Sequence, residues 1–418
     1  MKFSEKYPIV TKQNSVINRT AGNDNCMNTI TALSIHGIID KDKLEKSIQD
    51  VINKTDALRF VFYYENGNAY QSVLESMKFE LNIQKVEGNS KEEKEKYILD
   101  YTRKFAGNIM YFDGSAMFDF ILFELEEDEY VFVAIVNHVI TDGVSNTILM
   151  TNIISSYNGI AISAAEGTYL EYINEEEEFI KSDKGKQQID YWLNESKGFD
   201  ESFLGKPTEE RSKSAFKNFF DVDLRFMQEY ALKNKVSTAL LNIFLCQAAI
   251  SAAYNVKDTG INVVDANRTK HYRNTVGFIA TGMLQRFIFK SDETLTVAFG
   301  RFIDKYKSNI KNTRLGYYAD SSVFAFTYLN YLTQNNAIRF GDAEAEPFIG
   351  IHEARVWDTI AFLVTETSEK IIYKLGCDDE IFTPDKQHKF RMAFEMALNC
   401  LVEKDIKFDE LCSRVSVR

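Results

Sequence analysis

A histidine set four residues before an Asp-Gly pair, at the end of a long apolar run, is the part of this sequence best suited to chemistry. The stretch reads Val136-Asn137-His138-Val139-Ile140-Thr141-Asp142-Gly143-Val144-Ser145. Imidazole has an ordinary pKa near neutrality, so His138 can take a proton from an attacking amine, hydroxyl or thiol and return it to a leaving group. Asp142 can fix the local geometry through an ion pair. Gly143, closing a tight turn, leaves room for a substrate to approach the backbone. Taken alone, a His after an apolar strand is as often structural as catalytic.

Other chemistries find little support. His36, His271, His352 and His388 are scattered, with no second ligand at helical spacing, so no metal site is expected. Cys26, Cys246, Cys377, Cys400 and Cys412 are far apart and lack C-x-x-C spacing, and they read as reduced, mostly buried thiols. Gly-x-Ser-x-Gly, a P-loop and Gly-x-Gly-x-x-Gly are absent. With 49 Lys and Arg against 61 Asp and Glu, the surface is acidic, which argues against a groove that tracks nucleic-acid phosphates.

The elements that must position His138 can be read from hydrophobic spacing. Tyr130 to Val136 is apolar on both faces, as befits a strand in the middle of a sheet covered on two sides, and it pairs with Ala116 to Leu125 as a hairpin around 126–129. A helix from Ser145 to Tyr157 follows. Upstream, Thr29 to His36 alternates as a strand. Leu44, Ile48, Val51 and Ile52 stripe a helix, and Asn66-Gly67 turns a hairpin between Leu58–Tyr64 and Ala69–Leu74. Lys91 to Phe105 is a charged amphipathic helix.

The second half alternates in the same way. Helices are expected at Lys186–Ser196, Leu224–Leu232, Ser237–Tyr254, Glu293–Lys307 and Lys386–Val402. Strands are expected at Phe216–Leu224, Gly260–Asp265, Val323–Tyr331 and Thr359–Tyr373. Length alone favours two lobes of about 200 residues each. The acidic run Glu175–Glu178 marks a division into 1–175 and 176–418, although a solvated helix face accounts for it equally well. The apolar stretch Ala239–Tyr254 is too short to span a bilayer and reads as a core helix, so no membrane association is expected. The first ten residues contain Lys2, Glu5 and Lys6 without an apolar segment, so a cytoplasmic protein is expected.

Several segments in the same order resemble condensation domains of nonribosomal peptide synthetases and related chloramphenicol-acetyltransferase-like acyltransferases. Val136–Ser145 is similar to their His-His-x-x-x-Asp-Gly core, with Asn137 in place of the first His and Ser145 two residues after the Gly. Tyr7–Gln13 resembles the opening motif, and Lys54–Phe62, with Leu58-Arg59, the second. Tyr169-Leu170-Glu171-Tyr172 is similar to Tyr-x-Asp-Tyr. Asn267-Arg268 and Val276–Arg286 resemble the Gly-Arg and Ile-Gly-x-Phe-Val-Asn-Thr elements, with Thr281 and Gly282 departing from Asn-Thr. The stretch 312–385 carries little of the resemblance.

The resemblance implies an α/β fold of two lobes in a V, with His138 in a tunnel at their junction. It implies an acyltransferase in secondary-metabolite biosynthesis that forms an amide, or in second place an ester, from an acyl thioester. The donor handle would be the phosphopantetheine arm of a carrier protein acting in trans, or CoA, and the acceptor a small amine or alcohol. No bound cofactor is implied. Arg268 would pair with Asp142, Asn137 would hold the His138 loop through hydrogen bonds, and Ser145, Gly277, Thr281 and Gly282 would line the tunnel. The enzyme reading competes with two others: an acyl-CoA-dependent O-acyltransferase, and a catalytically silent domain that recruits a partner protein.

Overall fold

The run that ends in Asn137 is a strand from Glu129 to Asn137, buried at every residue after Glu129. The computed structural model describes residues 5–20, 28–106, 113–162, 165–204, 216–314, 324–329, 338–348, 360–367, 369–377 and 379–416. The chain begins with β1 (Tyr7–Pro8), α1 (Thr11–Thr20), β2 (Asn28–His36), α2 (Lys41–Lys54), β3 (Phe60–Glu65), β4 (Asn68–Val73), β5 (Asn82–Lys85) and α3 (Lys91–Ala106). It continues through β6 (Phe118–Glu126), β7 (Glu129–Asn137), α4 (Gly143–Tyr157), α5 (Tyr169–Lys181), α6 (Asp183–Ser196), β8 (Lys217–Asp223), α7 (Leu224–Lys233) and α8 (Thr238–Tyr254). Then come β9 (Asp258–Asp265), β10 (Thr281–Ile288), α9 (Leu295–Ile310), β11 (Phe324–Leu329), β12 (Ile338–Phe340) and β13 (Ala343–Pro347). It closes with β14 (Ile360–Glu366), β15 (Lys370–Cys377), α10 (Pro384–Val402) and α11 (Phe408–Ser416).

These elements form two units, both of mixed α/β character. The first comprises residues 1–179, 268–280 and 335–354, and the second 180–267, 281–334 and 355–418. A division at 175/176 into two continuous halves differs from this in two respects. The first crossing falls inside α5, and two later segments return to the first unit. The returns have physical causes: β13 pairs antiparallel with β2, and the segment 268–280 is bound by Asp142 and Ser145, as described below.

The first unit is built on a sheet of order β12-β13-β2-β7-β6-β5. β7 lies between two antiparallel neighbours, with Val136 opposite Thr29 of β2 and Phe118 of β6. Its odd-numbered residues Val131, Val133 and Ile135 pack with Ile98 of α3, Ile121 and Phe123. On the other face, the ring of Phe132 meets Phe120 and Phe340, and Phe340 meets Tyr157 of α4. A strand covered on both sides has no polar face to show, which is why it does not alternate. A smaller sheet, β1-β4-β3, carries the hairpin turned by Asn66 and Gly67, whose φ angles of 52° and 79° suit an Asn-Gly pair. In α2 the expected stripe, Leu44, Ile48, Val51 and Ile52, is buried, and Asp40 caps the helix.

The second unit has a sheet of order β10-β9-β11-β14-β15-β8. Its central helix α8 is buried from Leu240 to Ala252 and capped by Ser237. The single strand expected over 359–373 is instead the antiparallel pair β14 and β15. Thr367 makes the break: its N–H donates to the Lys370 carbonyl, and its hydroxyl accepts from the Lys370 N–H. Two apolar runs joined by a short polar turn without Gly or Asn resemble one long strand in sequence. Cys246, Cys377 and Cys412 are buried and Cys400 is half-buried, none of the four in a disulfide; Cys26 and His352 lie outside the described residues.

Candidate functional site

β7 delivers His138 to the turn before α4, and the residues around it fix that turn. Asn137 is wholly buried. Its Nδ2 donates to Asn28 Oδ1 at 3.0 Å, and its Oδ1 accepts from the Val139 N–H at 2.9 Å. The amide therefore ties the last residue of β7 to the first of β2 and to the backbone just past His138. The Val139 carbonyl in turn accepts from the hydroxyl of Tyr169 at 3.1 Å. Tyr169 is fully buried, and burial pushes its phenol far above the ordinary range. It is a hydrogen-bonding strut.

Asp142 does not sit on a turn closed by glycine. It is the N-cap of α4, with Gly143 as the first helical residue, and its Oδ1 accepts from the Ser145 N–H at 2.8 Å. Arg268 meets the carboxylate with both terminal nitrogens, Nη1 on Oδ2 at 3.0 Å and Nη2 on Oδ1 at 2.9 Å. The N–H groups of Ile279 and Ala280 donate to Oδ2 at 2.9 and 2.8 Å. Burial by itself would raise the Asp142 pKa, but the Arg268 charge and these hydrogen bonds outweigh it and hold the carboxyl below the usual range. A single carboxylate thus caps a helix, neutralises a guanidinium and binds the segment 268–280 to the first unit.

Ser145 and Gly277 are both buried and are joined to one another by hydrogen bonds. Ser145 has no exposed surface. Its hydroxyl donates to the Gly277 carbonyl at 2.7 Å and accepts from the Gly277 N–H at 2.9 Å and from Arg268 Nη2 at 2.7 Å. Gly277 has no room for a side chain, because a Cβ there would lie 2.2 Å from the ring of Tyr169. Thr281 and Gly282 open β10 in the second unit, where Thr281 is nearly buried and Gly282 lies against the Asn262 side chain.

Several residues at this site escaped the sequence reading. Gln13 and Gln71 exchange amide hydrogen bonds of 2.9 and 2.8 Å, and Gln13 Nε2 also donates to Tyr169 Oη at 3.4 Å. The opening segment thereby reaches the Tyr169 strut. Asp56 caps α5 by accepting from the N–H groups of Tyr169 and Leu170 at 3.1 and 2.8 Å. Lys12 is buried beside Glu176, at 3.3 Å, and Phe278 meets the His138 ring edge to face with centroids 4.7 Å apart. Gln13, Tyr169 and Phe278 fall in segments already singled out by resemblance, whereas Asn28 carried no signal. Among the described residues, no group of three or more His, Cys, Asp or Glu is gathered as a metal ion would need.

Within 136–142 the side chain of His138 alone is partly exposed, and every other residue is buried. The arrangement presents one imidazole on a rigid turn, with its neighbours occupied in holding the backbone.

Residues 4–318 match the family described as Condensation domain. Gramicidin S synthase 2 of Aneurinibacillus migulanus is 27% identical over 190 residues, 45% of this chain. This match spans only 4% of that protein's length. The first condensation domain of the calcium-dependent antibiotic synthetase, solved with substrate analogue 3a, shares the fold with a TM-score of 0.74 at 14% identity, covering 98% of this chain and 99% of that one. The starter condensation domain of rhizomide synthetase, solved with C8-CoA, gives 0.75 at 13% identity and 97% of each chain.

Proposed function

The chain belongs to the condensation-domain family, and from that premise we propose that it transfers an acyl group from a thioester to an amine, with His138 as proton acceptor. The observation that carries this reading is the isolation of His138 as the one partly exposed side chain in 136–142. Asp142 is committed to Arg268 and to the N–H groups of Ser145, Ile279 and Ala280, so the imidazole is the group in this segment able to exchange a proton near neutral pH.

In the proposed reaction, the acceptor nitrogen attacks the thioester carbonyl and a C–N bond forms. The proton leaving that nitrogen passes to the His138 imidazole. As the tetrahedral adduct collapses, the C–S bond breaks and the thiolate leaves, taking up the proton. Holding acceptor and imidazole at contact distance supplies much of the rate by orientation alone. The thioester is carried on the phosphopantetheine arm of a carrier protein, with CoA as the alternative handle, a reading supported by the peptide synthetases among the relatives and by the neighbour solved with C8-CoA. An alcohol acceptor, giving an ester, is the second choice.

The test compares the wild type with His138→Ala in single turnover, with acyl thioesters presented on a separately supplied carrier protein and on CoA. Loss of general base catalysis should slow product formation by about 10²–10⁴-fold. Equal rates for the two proteins would refute the role of His138. Binding of the loaded carrier without turnover by the wild type would replace the enzyme reading with that of a partner-recruiting domain.

A further inference from the structure

Lys12 is 9% exposed and Glu176 2%, an ion pair taken almost wholly out of water. Such pairs seldom add net stability, because an apolar pair of similar volume often serves as well or better. Their value lies in what they hold in place. Lys12 Nζ lies 3.3 Å from Glu176 Oε1, donates to the Tyr172 hydroxyl at 3.2 Å and donates to the Ile279 carbonyl at 2.8 Å. Tyr172 in turn donates to Glu176 Oε1 at 2.8 Å.

Ile279 is therefore pinned twice, its N–H by Asp142 and its carbonyl by Lys12. Gly277 is pinned at both its N–H and its carbonyl by Ser145. Phe278, between them, has little backbone freedom. Its ring lies 5.2 Å from the Lys12 ammonium and 4.7 Å from the His138 imidazole, to which it is inclined by 76°. An ammonium near an aromatic ring is attracted to the ring's electron-rich face, and an edge-to-face pair of rings favours one mutual orientation.

We propose that Lys12, paired with Glu176, is a positioning residue for His138: it fixes the Ile279 carbonyl and backs the Phe278 ring, which holds the imidazole in one orientation. This rests on the reading of His138 as the proton acceptor. Misplacing a reacting group by about an ångström is enough to cost around 10²-fold in rate. Loss of Lys12 should therefore lower kcat and leave KM near its wild-type value.

The experiment uses the full chain, with Lys12→Met combined with Glu176→Gln so that no lone charge stays buried. Glu176→Gln alone, in which the Lys12 amine can shed its proton and still donate to the Ile279 carbonyl, is the second variant and carries the test if the double variant fails to fold. The imidazole signals of the five histidines are followed by NMR, with His138 assigned by its loss in His138→Ala. Ring current from Phe278 marks the His138 signal. That signal should move in the double variant, and by less in the same direction in Glu176→Gln, while kcat falls by about 10- to 100-fold in the double variant. An unmoved His138 signal overturns the proposal whatever the activity, as does a moved signal with wild-type kcat. A moved signal together with full activity in His138→Ala would leave the positioning contact standing and remove the proton-acceptor reading instead.

Discussion

Replacing Asp142 by Ala should destabilise the first unit by about 3–5 kcal/mol, because it leaves the Arg268 guanidinium buried without its counter-charge. The two side chains are 1% and 6% exposed, so solvent screening discounts little of this. The carboxylate also accepts from the N–H groups of Ser145, Ile279 and Ala280. A lost helix cap costs about 0.5–2 kcal/mol, and an unsatisfied buried donor about 1–3 kcal/mol. These costs overlap and do not add, since one relaxation of the segment 268–280 would expose several of the donors together. Asp142→Asn keeps the cap and should lose less than the alanine variant.

The decisive comparison is a double-mutant cycle with Arg268→Met. Removing both charges should recover about 1–3 kcal/mol relative to the sum of the single losses. Urea unfolding followed by circular dichroism measures this. Tryptophan fluorescence would not, because Trp192, the one tryptophan among the described residues, lies in the second unit. Additivity of the two single losses to within about 0.5 kcal/mol would refute the coupling. The pH dependence supplies an independent check. The folded Asp142 pKa lies below its unfolded value of about 3.9, so its contribution is complete above that value and is lost as pH falls through the folded one. The gap between wild type and Asp142→Asn should hold steady from about pH 5 to 8 and narrow below about pH 4.

Asn137→Ala should cost about 1–3 kcal/mol in urea unfolding while altering the single-turnover rate less than His138→Ala does, because the amide serves the backbone of Val139 and the side chain of Asn28. Gly277→Ala should lower thermal stability by about 1–3 kcal/mol, since the added methyl would collide with Tyr169; an unchanged melting temperature would show that the ring can move aside. Tyr169→Phe should cost about 1 kcal/mol through the lost bond to the Val139 carbonyl, measured in the same way.

How much of this architecture is legible in sequence depends on the range of the interactions. The stripe of α2 and the hairpin at Asn66-Gly67 are set by spacing and turn chemistry within a few residues, and both are found where the pattern places them. The return of β13 to the edge of β2 is different. Ala343-Glu-Ala-Glu-Pro347 has no large apolar side chain to signal a strand, and its partner lies some three hundred residues upstream, from Leu33 to His36. Backbone hydrogen bonds hold it there, and backbone hydrogen bonds leave no mark on residue type. The docking of 268–280 is intermediate. Resemblance points to Arg268 as the partner of Asp142, while the hydrogen bonds between Ser145 and Gly277 depend on three-dimensional closeness that spacing does not carry.

The acidic run Glu175–Glu178 shows that periodicity can hold more than composition suggests. As a block of charge it reads as a boundary or a solvated face. Counted along α5, however, Tyr169, Tyr172, Ile173 and Glu176 fall at i, i+3, i+4 and i+7, the spacing of one helix face, and these four are the buried residues of that helix. A carboxylate on the buried face of a helix must either stay protonated or find a cation. Burial lowers the Lys12 pKa while the Glu176 charge opposes that shift. Sequence spacing could therefore have announced that Glu176 needs a buried cation. That Lys12 supplies it, and touches Phe278 as it does so, follows from the fold.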